Sequence, residues 1–238
     1  MWLALETATD RASVAVGRTA DDAVEESLTG ARRHAAALLP MVEAALRRRG
    51  VRLDDVTGLV VSDGPGSFTG PRVGATAAKA LARARGLPLR SAPSLMARAA
   101  GAARDSALVL AVSDALRGEV YAGAFRFPGG RTVTELAPGV WRPAALADLG
   151  LAPDVLVGDV PLAAREALER STGRRMIASP DGAPRATALI ALAAMEGGAR
   201  EVPDPGEWEP VYGRPAEAQA RWEIAHGRPL PDPAGGAR

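Results

Sequence analysis

The residues with the clearest chemical potential lie at 63–74, in the run DGPGSFTGPRVG. Gly64 and Gly66 permit backbone conformations and close approaches that other residues resist. Ser67 and Thr69 can cap the exposed N–H groups of a following helix. Amides gathered at a helix start bind anions, so Gly64, Gly66, Ser67 and Thr69 are candidates to hold a phosphate. The same residue types also build a tight capped turn that binds nothing, and the residues alone leave both readings open. The run is not a P-loop, because no Gly-Lys-Ser/Thr follows, and its glycines miss the dinucleotide spacing. A weaker candidate is Leu5-Glu6-Thr7-Ala8-Thr9, an acid and hydroxyls at the tip of a first hairpin. A solvated hairpin tip is its plainer reading.

Other chemistries have little support. His34 and His226 are the only histidines, and Leu38 stands four positions after His34, so no histidine pair offers a metal site. Glu6, Asp63, Asp114 and Asp159 leave a carboxylate magnesium site open but unforced. There is no cysteine, which excludes disulfides, iron–sulfur clusters and thiol catalysis. Gly-x-Ser-x-Gly is absent around Ser67, because position 65 is proline. No residue is assigned as catalytic and none as a metal ligand.

The elements that must position these residues read as two similar halves. Residues 2–8 and 12–18 form a strand hairpin, 24–28 a third strand, and 32–49 a helix that Pro40 should kink or shorten at its start. Residues 56–62 are an apolar strand that feeds the glycine run, and Pro71 suits the first turn of a helix ending near 85. A short extended piece at 87–89 and a helix at 94–102 follow. The order then restarts, with strands at 107–113, 119–127, 131–136 and 154–157 and helices at 161–170 and 183–196. The Pro- and Gly-rich stretch 198–210 reads as a loop and the tail 227–238 as disordered. The expected organisation is α/β, with βββαβα-type subdomains at 1–104 and 105–226.

Composition bounds the function. The chain has 238 residues, 47% hydrophobic and 24% charged, as an ordinary globular protein does. No apolar run approaches the roughly 18 residues of a membrane span. Met1 opens directly into an apolar strand without the basic n-region of a signal peptide, so a cytoplasmic protein is expected. Basic and acidic residues nearly cancel, 29 against 28, so the phosphate-neutralising excess of a stand-alone nucleic-acid binder is missing. Lys79 is the only lysine among the basic residues, a bias consistent with a GC-rich genome.

Two helices look over-equipped for an internal role. On the first, Leu38, Met41, Val42, Ala45 and Leu46 cover more surface than one inward stripe needs. On the second, Gly74, Ala77, Ala78 and Leu81 sit among many small residues that let a neighbouring helix approach closely. Both helices are therefore expected to pack on a partner chain, and the protein alone to form a homodimer.

In order along the chain, LALETAT, ASVAVG, RRHAAALLP, VVSDGPGSFTGPRVG, SDALRGEVYAGAF, LVGDV and EPVYGRP resemble the TsaB (YeaZ) family of the TsaD/Kae-like superfamily. The resemblance runs from about residue 2 to 216, and GPGSFTG-x-R-x-G is its most specific part. It implies an actin-like duplicated fold of the ASKHA type. It implies a non-catalytic scaffold acting with TsaD and the ATPase TsaE in the transfer of threonylcarbamoyl to the tRNA adenosine beside the anticodon. It further implies a heterodimer with TsaD through the N-terminal helices, contact with tRNA only through the complex, and ATP or ADP at most at the interface with TsaD. Under this resemblance His34 stands where TsaD has the first histidine of its metal pair, and Leu38 replaces the second. Glu6 and Pro71 depart from the family's usual Asp and Leu. The alternative is a small ASKHA-fold kinase or ATPase using the Glu6 hairpin and the 64–69 loop.

Overall fold

A computed structural model describes residues 1–30, 33–67, 69–104 and 106–211. The expected tail at 227–238 and His226 lie outside the described residues. The chain forms two sheets that repeat one topology. In the first, β1 (Trp2–Glu6) pairs antiparallel with β2 (Arg11–Gly17), which pairs antiparallel with β3 (Val24–Thr29). On the other side of β1, β4 (Gly58–Ser62) and then β5 (Leu89–Ala92) run parallel to it. In the second sheet, β6 (Val109–Asp114), β7 (Val120–Arg126) and β8 (Val133–Trp141) form the antiparallel meander. There β9 (Val155–Asp159) and β10 (Met176–Ile177) supply the parallel strands. The two orders, β5-β4-β1-β2-β3 and β10-β9-β6-β7-β8, correspond strand for strand. This is the duplicated actin-like arrangement.

Among the described residues, six helices complete the layers: α1 (His34–Arg49), α2 (Gly70–Arg85), α3 (Ser94–Ala102), α4 (Pro143–Ala147), α5 (Leu162–Thr172) and α6 (Ala186–Ala194). α1 and α2 cover the outer face of the first sheet through Leu38, Val42, Ala45, Ala78 and Ala82, which pack on Leu3, Leu5, Val14 and Val61. α4 and α5 cover the outer face of the second sheet through Leu146, Ala164 and Leu168. α3 and α6 lie between the sheets, where Leu95, Ala99, Leu189 and Ile190 join Ala4, Val60, Ala111, Phe125 and Val157 in one core. The Leu, Ile, Val and Phe side chains among them contribute about 1.5–3 kcal/mol each when fully buried, so the sheets are joined by an extensive apolar layer.

Several expected elements shift. α1 runs through Pro40 without a break, because that residue lies on the exposed face, where water can take the carbonyl freed by the missing N–H. β4 starts at Gly58, since residues 53–55 form a short 3-10 turn before it. The stretch expected to be only a loop contains β11 (Arg200–Val202), which pairs antiparallel with β5 at the edge of the first sheet. A segment of the expected 105–226 unit thus closes the sheet of the 1–104 unit.

Candidate functional site

The glycine run leaves β4 at Asp63 and enters α2 at Gly70, and it packs directly on the tip of β1. Ser67 N–H donates to the Ala8 carbonyl at 2.8 Å, and Gly70 N–H donates to Ser67 Oγ at 3.1 Å. Thr7 Oγ1 donates to the Gly70 carbonyl at 2.7 Å. A Cβ on Gly66 would run into the Ala8 carbonyl oxygen, one on Gly70 into the Thr7 carbonyl oxygen, and one on Gly74 into Thr7 Oγ1. Gly64 alone needs the left-handed region, at φ 94°, and its flank is closed by the Val211 carbonyl. α3 holds the loop from below, with Ser94 N–H on the Gly64 carbonyl at 2.8 Å and Ser94 Oγ on the Pro65 carbonyl. The amides of Ser67 and Gly70 are therefore spent on the protein itself. The close approaches at Gly66 and Gly70 fit a turn through which backbone must pass close to backbone, while Ser67 and Thr69 stay exposed. Thr69 makes no side-chain cap of α2.

Beneath that turn lies a buried group of charges. Glu6 has no exposure. Its Oε1 accepts from Ala8 N–H at 2.8 Å, while Oε2 and the Ser62 hydroxyl are buried without a well-formed hydrogen-bond partner. Burial pushes the Glu6 carboxyl up to about 7, with the Asp63 charge adding and the Ala8 amide, Ser62 and Arg98 opposing. Burial also raises Asp63, against the pull of Arg200, whose Nη2 lies 2.7 Å from Asp63 Oδ2. Arg98, on α3, sits 2.9 Å from Asp159 Oδ2 at the end of β9. Burial lowers the Arg98 value, and Asp159 works against that. Burial pushes Asp159 up, but the Arg98 guanidinium and the Ser179 N–H and hydroxyl outweigh it and hold the carboxyl below its ordinary range. Among the described residues, no three His, Cys, Asp or Glu side chains gather as a metal site requires.

A family model described as TsaD, tRNA N6-adenosine threonylcarbamoyltransferase, matches residues 16–180, more than half of the chain. A solved structure described as an uncharacterized protein with similarity to peptidase YEAZ from Pseudomonas aeruginosa is 30% identical, at TM-score 0.74, over 90% of this chain and 99% of that one. The chain belongs to the TsaB (YeaZ) family. The structure described as YeaZ from Pseudomonas aeruginosa is 29% identical at TM-score 0.71, covering 89% of this chain and 98% of that one. The Escherichia coli protein named tRNA threonylcarbamoyladenosine biosynthesis protein TsaB is 40% identical over 121 residues, 50% of this chain and 52% of the relative. Its Bacillus subtilis namesake is 33% identical over 129 residues, 54% and 56%. The matches thus span about half the length of these curated TsaB relatives.

In this TsaB-family chain, His34 opens α1 with 1% exposure and donates from Nε2 to the Asp10 carbonyl at 3.0 Å. Leu38 lies one turn on, in the core. The outward faces of α1 and α2 correct the expected partner surface. Leu38, Met41, Val42, Ala45, Gly74 and Ala78 are buried, because they form the stripe that fastens both helices to their own sheet. Ala77 and Leu81 are half-buried at the rim. The faces left to solvent carry Ala36, Leu39, Pro40 and Glu43 on α1 and Thr76, Ala80 and Ala84 on α2, with Leu39 at 53% exposure. Sequence reasoning left Arg98 and Arg200 among the many arginines. The available signal was an arginine inside the otherwise uncharged helix SLMARAAGA.

Proposed function

We propose that this chain is a non-catalytic scaffold in the synthesis of threonylcarbamoyladenosine in tRNA. It docks on a TsaD-type transferase through the solvent faces of α1 and α2, and it works with a TsaE-type ATPase. Alone, it pairs with itself through the same face. It is cytoplasmic, it meets tRNA only through the complex, and any ATP or ADP is held jointly at the interface with the transferase. The observation that carries the reading is the glycine turn: Ser67 N–H bonds to the Ala8 carbonyl of the first hairpin, Gly70 N–H bonds to Ser67 Oγ, and the Glu6 carboxyl below has no exposure. A kinase or ATPase would need both the turn and the acid open to a nucleotide. The curated relatives carry the name of a tRNA threonylcarbamoyladenosine biosynthesis protein, which supplies the pathway.

The test is depletion of this protein in its own cell, followed by mass spectrometry of nucleosides from total tRNA. Threonylcarbamoyladenosine should fall on depletion and return with wild-type protein. It should also return with Glu6→Gln, because no step uses that carboxylate. Failure of Glu6→Gln to restore the nucleoside, together with Mg-dependent ATP turnover by the isolated wild type, would favour the enzyme instead.

A further inference from the structure

Arg98 is the largest of the fully buried side chains, with 1% of its side chain exposed. Its neighbours on α3, Leu95, Met96, Ala97 and Ala99, belong to the apolar layer between the two sheets. It joins the two halves: α3 is tied to the first by Ser94, whose N–H donates to the Gly64 carbonyl at 2.8 Å, and Arg98 reaches Asp159 at the end of β9 in the second at 2.9 Å, with the Glu6 charge at the end of β1 also favouring it. Asp159 is itself fixed by Ser179, through N–H at 2.8 Å and the hydroxyl at 2.7 Å. Apolar contact is non-directional, and a layer of Ala, Leu and Val side chains can accept more than one offset between two sheets. An ion pair is directional: Asp159 is 41% exposed and Arg98 1%, so an offset that separates them leaves the Arg98 charge buried and alone. Such a pair adds little net stability, because desolvation offsets its attraction, and replacing all of its members by neutral groups is often neutral or better.

We propose that Arg98, with Asp159 and Glu6, is a registry key: it fixes how the two sheets sit across their shared core and contributes little to overall stability. The chain has no cysteine, so Glu43→Cys on α1 and Glu166→Cys on α5 place one spin label on the outside of each half. Double electron–electron resonance then reads the distance between the halves, in samples diluted with unlabelled chain so that only intramolecular pairs count. The comparison is between this labelled background and the same background carrying Glu6→Gln, Arg98→Met and Asp159→Asn together. The background should give one narrow distance peak. The neutral triple variant should melt within about 5 °C of it, and its peak should broaden or split. A folded triple variant with the same narrow peak overturns the proposal. So does a triple variant that fails to fold or melts far below the background, since the cluster would then be a source of stability.

Discussion

At the scale of single residues, two features carry testable consequences. The first is the buried acid at the end of β1. An ordinary glutamate titrates near 4.5, and the folded Glu6 titrates at about 7. Below 4.5 both folded and unfolded states hold the proton, and the folded state loses nothing. Between 4.5 and 7 the unfolded chain releases its proton first, so stability falls as pH rises and levels off above the folded value. A shift of that size corresponds to about 3 kcal/mol, and Asp63 is shifted in the same direction. Denaturant unfolding at pH 5 and pH 8 should therefore show wild type losing more stability than Glu6→Gln across the interval. Equal losses in the two proteins would remove the argument. The second feature is the close approach at Gly66. A valine there must displace the Ala8 carbonyl and break its bond from Ser67, at a cost of about 1–3 kcal/mol or more. Thermal melts of Gly66→Val should show that loss with no partner or nucleotide present; an unchanged melt would mean that the turn has room to spare. The glycine run could be found in the sequence because its residue types are unusual. Its role could not, because spacing alone does not say whether an amide faces a phosphate or a neighbouring carbonyl.

At the scale of elements, the strand and helix order was largely legible, because both sheets use short apolar runs bounded by Gly, Pro and Asp. β11 was missed because three residues within a Pro- and Gly-rich stretch leave no period to read. The orientation of α1 was misjudged for a different reason. In an alanine-rich helix the inward stripe of Leu38, Met41, Val42, Ala45 and Leu46 looks broader than it is, since Ala35, Ala36 and Leu39 count as apolar but lie outside. The structure separates the two faces, and the variants follow from that. Leu39→Asp and Ala80→Glu lie on the solvent face and should keep the circular dichroism and melting temperature of wild type while abolishing binding to the TsaD-type protein in size-exclusion chromatography. Retained binding by both would move the interface off α1 and α2. Ala78→Glu places a carboxylate at a position with no exposure and should instead unfold the protein, at a cost of several kcal/mol. A third element-level case is the segment after β11, where Trp208 packs against the outer core of the first sheet, Lys79 Nζ lies 5.9 Å from its ring and Glu209 lies 2.9 Å from Lys79. Trp208→Ala should destabilise by about 2 kcal/mol, less than the 3–5 of a fully buried tryptophan, in the same melting assay. No change would mean that the segment does not hold α2.

At the scale of the whole molecule, two copies of one topology share a core made by α3 and α6, and the outer faces of both sheets are covered by further helices. Of the expected hairpin-and-loop machinery, Glu6 is turned inward, and the glycine turn is tied to the first hairpin through Ser67 and Thr7. Duplication was legible as a restart of the strand–helix order near residue 107. The contact between Arg98 and Asp159 was not, because the two are 61 residues apart in sequence, one on α3 and the other at the end of β9. The central claim is that this chain acts by assembly rather than by chemistry. Its most direct test is size-exclusion chromatography with light scattering on an equimolar mixture with the TsaD-type protein of the same cell. The account predicts a stable heterodimer that replaces any homodimer and is lost with Leu39→Asp. Two proteins that elute separately, each at its own mass, would contradict it.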